Sequence, residues 1–169
     1  MKTKSLLLLI PVIIILSVFS CQKDSDTTTL RVMMTDAPAL WEEVNIDLER
    51  VEIKLARDTN SWVSMQTNAA IYDLLGLQNG VDTLIAQASF QSTEIVKEIR
   101  LVLGTDNTIK VDGQAFELTV PSGAESGLKI KVNKDLNADI ETLTIDFDAQ
   151  LSVNTGPQGY ILMPVLRLK

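Results

Sequence analysis

Between Leu30 and Leu168 the chain alternates apolar and polar residues in short runs, and that period of two narrows its folds more than any other feature. Val44, Ile46 and Leu48 alternate with Asn45, Asp47 and Glu49; Leu128, Ile130 and Val132 with Lys129 and Lys131; Leu143, Ile145 and Phe147 with Thr144, Asp146 and Asp148. Successive side chains of a strand point to opposite faces, so each run carries one apolar face that must be covered. Leu30, Val32 and Met34 form a first such face, ended by the turn residues Asp36-Ala37-Pro38.

The apolar phase slips once inside a single run. Val44, Ile46 and Leu48 are even-numbered, whereas Val51, Ile53 and Leu55 are odd-numbered. A slip of one residue turns the core face to solvent unless a bulge absorbs it, which places a bulge or sheet crossover at Glu49-Arg50. Arg57 to Ser61 reads as a loop and Trp62 to Met65 as a short strand. Ile71 to Gly80 is compact and apolar. Val81, Leu84, Ile85 and Ala88 follow 3.6-residue spacing, so a helix of one or two turns is expected over 81–88. Ile95, Ile99, Leu101 and Leu103 return to strand spacing. Asp112-Gly113 between Ile109-Lys110-Val111 and Phe116 to Val120 is a hairpin signal. A last strand runs from Tyr160 to Leu168, with Pro164 requiring an edge or a bulge there. About eight or nine short strands with turns at regular spacing predict an all-β fold, an antiparallel β-sandwich with one short helix.

The N-terminal stretch sets the address. Lys2 and Lys4 precede the almost wholly apolar Leu6 to Phe19, and Ser20-Cys21 closes the run. Basic start, apolar run and small residue is the order of a secretory signal. The run is 14 residues, short of the roughly 20 of a membrane span, and contains Pro11. Val18-Phe19-Ser20-Cys21 resembles a lipobox, with Phe19 departing from the usual small residue. The resemblance implies cleavage before Cys21 and a thioether to diacylglycerol, with the freed amine acylated, commonly by palmitate. One acyl chain holds a protein only marginally, so an anchor needs two or more. Gln22-Lys23-Asp24-Ser25-Asp26 resembles the surface-export tag of Bacteroidetes lipoproteins. The expected division is therefore a signal over 1–20, lipidated Cys21 and a polar tether over 21–29, and one domain over 30–169. The location it implies is the outer membrane, lipid-anchored and facing the cell exterior.

Composition excludes several chemistries. Loss of residues 1–20 removes Lys2 and Lys4 and deepens the formal charge from −7 to −9. Such a surface repels nucleic-acid phosphates and anionic lipid as main partners. The chain has no His, the commonest general base and transition-metal ligand, and Cys21 is its one cysteine, so no internal disulfide forms. Gly123-Ala124-Glu125-Ser126-Gly127 has the outline of a nucleophile elbow, but Glu stands at its centre and no His is present to activate a serine.

The chain resembles the family described as domain of unknown function 4382, found in bacterial envelope proteins. Thr35-Asp36-Ala37-Pro38, Asp73-Leu74-Leu75, Ile99 to Gly104, Val120 to Ala124, Ser126 to Lys129, Asp146-Phe147-Asp148 and Tyr160 to Val165 carry the resemblance. It implies a sandwich of immunoglobulin or transthyretin type. It implies no activity.

Asp146 and Asp148 are the sharpest candidate pair, expected on the solvated side of their strand. They read first as an acidic edge that resists sheet-to-sheet association. Second, with Asp36 or Asp47, they form a calcium site of oxygen ligands, and third a glycosidase acid/base pair. Asp36 itself reads as an Asx-turn residue, with a metal role as the alternative. Lys129 and Lys131 share a face, with Lys97 or Arg100 near them, and read as partners for the surplus acids. Among the aromatics Trp62 is expected in the core and Trp41 exposed, where it would contact a protein partner or a glycan. The function expected is a non-enzymatic binding or interaction module on the cell surface. A fimbria-like structural subunit is the alternative, and a carboxylate- or metal-dependent hydrolase the third reading.

Overall fold

A computed structural model of the chain describes residues 26–121, 127–157 and 159–169. Cys21 and the export tag up to Ser25 lie outside these residues, as does most of the Gly123 to Gly127 stretch. In chain order the strands are β1 (Thr27–Thr35), β2 (Glu43–Leu55), β3 (Asp58–Ser64), β4 (Gln66–Thr67), β5 (Ala70–Asp73), β6 (Thr83–Gln91) and β7 (Ile95–Leu103). They continue with β8 (Thr108–Val111), β9 (Gln114–Thr119), β10 (Leu128–Asp135), β11 (Ile140–Phe147), β12 (Val153–Gly156), β13 (Gly159–Leu162) and β14 (Leu166–Leu168). A 3-10 turn covers Leu74–Leu77, and the one α-helix among the described residues, α1, covers Ala149–Ser152. No helix among the described residues is long and apolar enough to cross a membrane.

Two sheets face each other. The first has five strands in the order β14-β11-β1-β6-β4, and the second has nine, running β10-β7-β2-β8-β9-β13-β12 with β3 and β5 also paired to β2. Leu30, Val32, Met34, Ile85, Ile145 and Phe147 of the first sheet join Ile46, Ile53, Leu101 and their neighbours of the second in one buried cluster. Each such side chain removed from water contributes about 1.5–3 kcal/mol. The all-β sandwich expected from the alternation is therefore the fold. Both sheets are mixed, because β1 pairs with β11 and β13 with β9 in parallel.

The phase slip in β2 is a bulge. Pairing with β7 shifts register between Leu48 and Arg50, and both apolar phases stay buried. Asp112 and Gly113 both have positive φ, 51° and 76°, as a type I′ hairpin requires. Pro164 splits the expected last strand: β13 lies in the nine-stranded sheet and β14 at the edge of the five-stranded one.

Three expectations fail. Arg57 to Ser61, read as a loop, is strand from Asp58, because β3 folds straight back onto β2 with Asp58 opposite Leu55. Residues 81–88 are not helix; Thr83–Gln91 is strand β6, paired antiparallel to β1. The register between these strands shifts at Val32/Met33, with Val32 opposite Ala86 and Met33 opposite Leu84. That bulge at Ile85 breaks the alternation, and a broken alternation over eight residues imitates helical spacing. The helix lies instead at Ala149–Ser152. Thr27 to Thr29, expected as the end of the tether, is already strand, with Thr28 buried opposite Phe90.

Candidate functional site

The three candidate carboxylates do come together, at the end of the sandwich where β1 and β11 finish, but as structural groups. Asp36 is only 2% exposed. Its Oδ1 accepts from the Ala149 N–H at 2.8 Å, its Oδ2 accepts from Gln78 Nε2 at 3.3 Å, and its own N–H donates to the Leu77 carbonyl. One residue thus ties together the ends of β1, the 3-10 turn and β11. The bonds reach across the fold rather than closing an Asx-turn. Burial pushes the Asp36 carboxyl up to about 6; the Ala149 and Gln78 bonds oppose the rise, while the charges of Asp146 and Asp148 add to it.

Asp146 and Asp148 are buried, not solvated. Alternation gave their face correctly but not its surroundings: β11 is an interior strand, flanked by β1 and β14, so no acidic edge exists there. Asp148 caps α1, its Oδ1 accepting from the Leu151 N–H at 3.0 Å, and its Oδ2 lies 3.4 Å from Arg167. Asp146 Oδ2 lies 3.7 Å from Lys169 Nζ, and its Oδ1 is buried without a hydrogen-bond partner among the described residues. Among those residues no three His, Cys, Asp or Glu side chains are grouped to hold a metal ion. With both oxygens of Asp36 and of Asp148 already engaged, the geometry is that of a clamp between loops.

The tryptophans exchange the places expected of them. Trp41 packs against the core, its ring edge-on to Tyr160 at 6.4 Å, with Nε1 buried and without a hydrogen-bond partner among the described residues. Its neighbour Leu40 is the exposed residue. Trp62 lies on the outer face of the nine-stranded sheet, where Lys54 Nζ sits 4.5 Å and the Arg100 guanidinium 4.4 Å from the ring centroid. A cation near an indole face is held by the ring quadrupole at about 0.5–1 kcal/mol when exposed. Glu52 also holds Arg100, its Oε2 accepting from both the Nε and a terminal nitrogen of the guanidinium.

Beside Trp62 runs an open groove of about 400 Å³, lined by Lys54, Thr59, Lys97, Glu98, Lys131 and Asn133. The strand register builds it. Lys54 of β2 and Lys131 of β10 stand on either side of Glu98 of β7. Both pairings of β7 shift register next to Lys97, so the bulge turns Lys97 out onto the same face as Glu98. Asn133, at φ 55°, accepts from Lys97 Nζ at 3.1 Å. Lys54 Nζ lies 3.8 Å from Glu98, whereas Lys97 and Lys131 have no carboxylate partner among the described residues. Lys97, expected with Arg100 as a neighbour of Lys129 and Lys131, does line a groove with Lys131, though strict alternation would set it on the opposite face from Glu98. A larger groove of about 530 Å³ carries the carboxylates Asp106 and Glu117 without a cation, and no set of side chains converges there to suggest a ligand.

A family model described as domain of unknown function (DUF4382) matches residues 27–164. The chain belongs to the DUF4382 family. The DUF4382 match begins at the first residue of β1 and stops before β14, so it spans both sheets, the Asp36 clamp and the whole basic groove. No curated protein and no solved structure matches the chain.

Proposed function

We propose that this DUF4382 chain is an outer-membrane lipoprotein, anchored through acyl chains on Cys21 and facing the cell exterior, that works as a non-enzymatic binding module. The observation that carries the binding role is Trp62, set beside Lys54 and Arg100 on the outer face of the sheet, next to a groove with two cations that lack carboxylate partners among the described residues. Sites mounted on sheet strands hold their geometry better than sites on loops. Support for the anchor is the Leu6 to Ser20 run ahead of Cys21. From Cys21 to the start of β1 at Thr27 the chain reaches at most about 20 Å, so the body would stand close to the bilayer.

Two observations disfavour the other readings. Asp36 and Asp148 are committed to capping and to tying loops, which leaves the hydrolase reading without a free acid/base pair. Strand β1 lies between β11 and β6, which disfavours a subunit that gives up its N-terminal strand to a neighbour. The proposal is tested by protease treatment of intact cells, with and without Cys21→Ala. Wild-type chain should be cleaved on whole cells, and the variant should leave the membrane fraction. A chain protected until cells are broken contradicts the exterior location.

A further inference from the structure

We propose that the groove between β2, β7 and β10 binds an acidic polysaccharide segment, one bearing carboxylate or sulfate groups on sugar rings. The inference rests on the binding-module reading and adds the ligand class. The protein as a whole is acidic, with a formal charge of −7, so cations gathered on one face and without carboxylate partners among the described residues stand out against it. Lys97 and Lys131 offer ammonium donors toward the groove. Glu98 is its one acid and is partly met by Lys54. The remaining lining suits a sugar: the Thr59 hydroxyl and the Asn133 amide can each exchange hydrogen bonds with ring hydroxyls. Trp62 does not line the groove; its ring holds Lys54, whose ammonium forms part of the groove wall.

The shape agrees with the chemistry. The groove is an open trough across three neighbouring strands, and a linear chain can lie in it without an end being captured. Its volume of about 400 Å³ falls at the small end of ligand sites, room for a short oligosaccharide segment. Lysines on β10 also discourage strand addition at that edge, a role that would give them no preference among sugars. Lys97, however, belongs to β7, an interior strand, and reaches the face only through a bulge, so edge protection does not account for it.

The test uses full-length chain in detergent and isothermal titration with a galacturonate hexasaccharide and with neutral maltohexaose, at low and at moderate salt. Expected are binding of the acidic hexasaccharide alone and weakening as salt rises. Lys97→Ala with Lys131→Ala should lose about tenfold or more in affinity, since a charge-assisted contact is worth about 1.5–3 kcal/mol. Lys131→Arg should retain binding, and thermal melts of all variants should match wild type, which separates a lost contact from a lost fold. Equal affinity for maltohexaose, an unaffected double-lysine variant, or no binding of the acidic hexasaccharide overturns the inference. Lysine-dependent binding to phosphatidylglycerol vesicles without binding to the hexasaccharide overturns it too, in favour of a lipid surface. Binding of a neutral glycan or a protein instead overturns the ligand class while leaving the binding-module reading standing.

Discussion

The Ala149 N–H donates to Asp36 Oδ1 at 2.8 Å across 113 residues of sequence. That bond joins the end of the first strand to the start of α1, and Gln78 on the other oxygen adds the 3-10 turn to the same clamp. A buried carboxylate in this position holds three loops while disfavouring its own charge.

Asp36 therefore makes stability depend on pH. Its carboxyl is raised from 3.8 to about 6, so between those values the folded chain binds more protons than the unfolded one. Stability then falls as pH rises through this window and levels above about 6, the reverse of an ion-paired carboxylate. Asp36→Asn keeps an acceptor for Ala149 and removes the charge. Urea midpoints measured from pH 4 to 8 should show a flatter profile for Asp36→Asn than for wild type, with a gain at pH 7 of at most about 3 kcal/mol. Asp36→Ala leaves the Ala149 N–H unpaired and should cost about 1–3 kcal/mol.

Asp148 should act as a cap. Asp148→Ala removes the acceptor for Leu151 and the partner of Arg167, and should cost about 1–2 kcal/mol by urea denaturation. Asp148→Asn should recover most of that loss.

Gly127 links a turn to the sheet face. Its φ is +60°, and a Cβ built there would run into the aliphatic stem of Arg100. Gly127→Ala should cost about 1 kcal/mol in backbone strain alone. It should also push Arg100 away from Trp62, read as a shift in tryptophan fluorescence that Asp148→Ala does not produce.

Phe147 is fully buried among both sheets. Phe147→Ala should cost about 3–5 kcal/mol in a thermal or urea melt, enough to leave a domain of this size marginal.

The fold was legible where local chemistry agreed with strand pairing. The odd-even slip at Glu49-Arg50 forecast the β2 bulge, and Asp112-Gly113 forecast a turn with both φ positive. It was illegible where a bulge disturbed the count. Ile85 sits opposite a register shift and made β6 look helical, while Lys97, expected near Lys129 and Lys131, sits at a register shift that alternation does not reveal. Alternation told which face Asp146 and Asp148 occupy, but strand order decides whether that face is covered, and order comes from distant pairings such as Val32 with Leu143. The two tryptophans differ in what lies next to them in space: Tyr160 beside Trp41, and Lys54 and Arg100 beside Trp62. Tyr160 and Arg100 are distant in sequence; Lys54 alone is near, across the β2–β3 hairpin.

The anchor itself is tested most directly by intact-mass and N-terminal peptide mass spectrometry of the chain purified from membranes. A mature polypeptide beginning at Cys21 and carrying diacylglycerol and an N-acyl chain is the expected result. A chain that keeps residues 1–20, or one whose Cys21 is a free thiol, contradicts it.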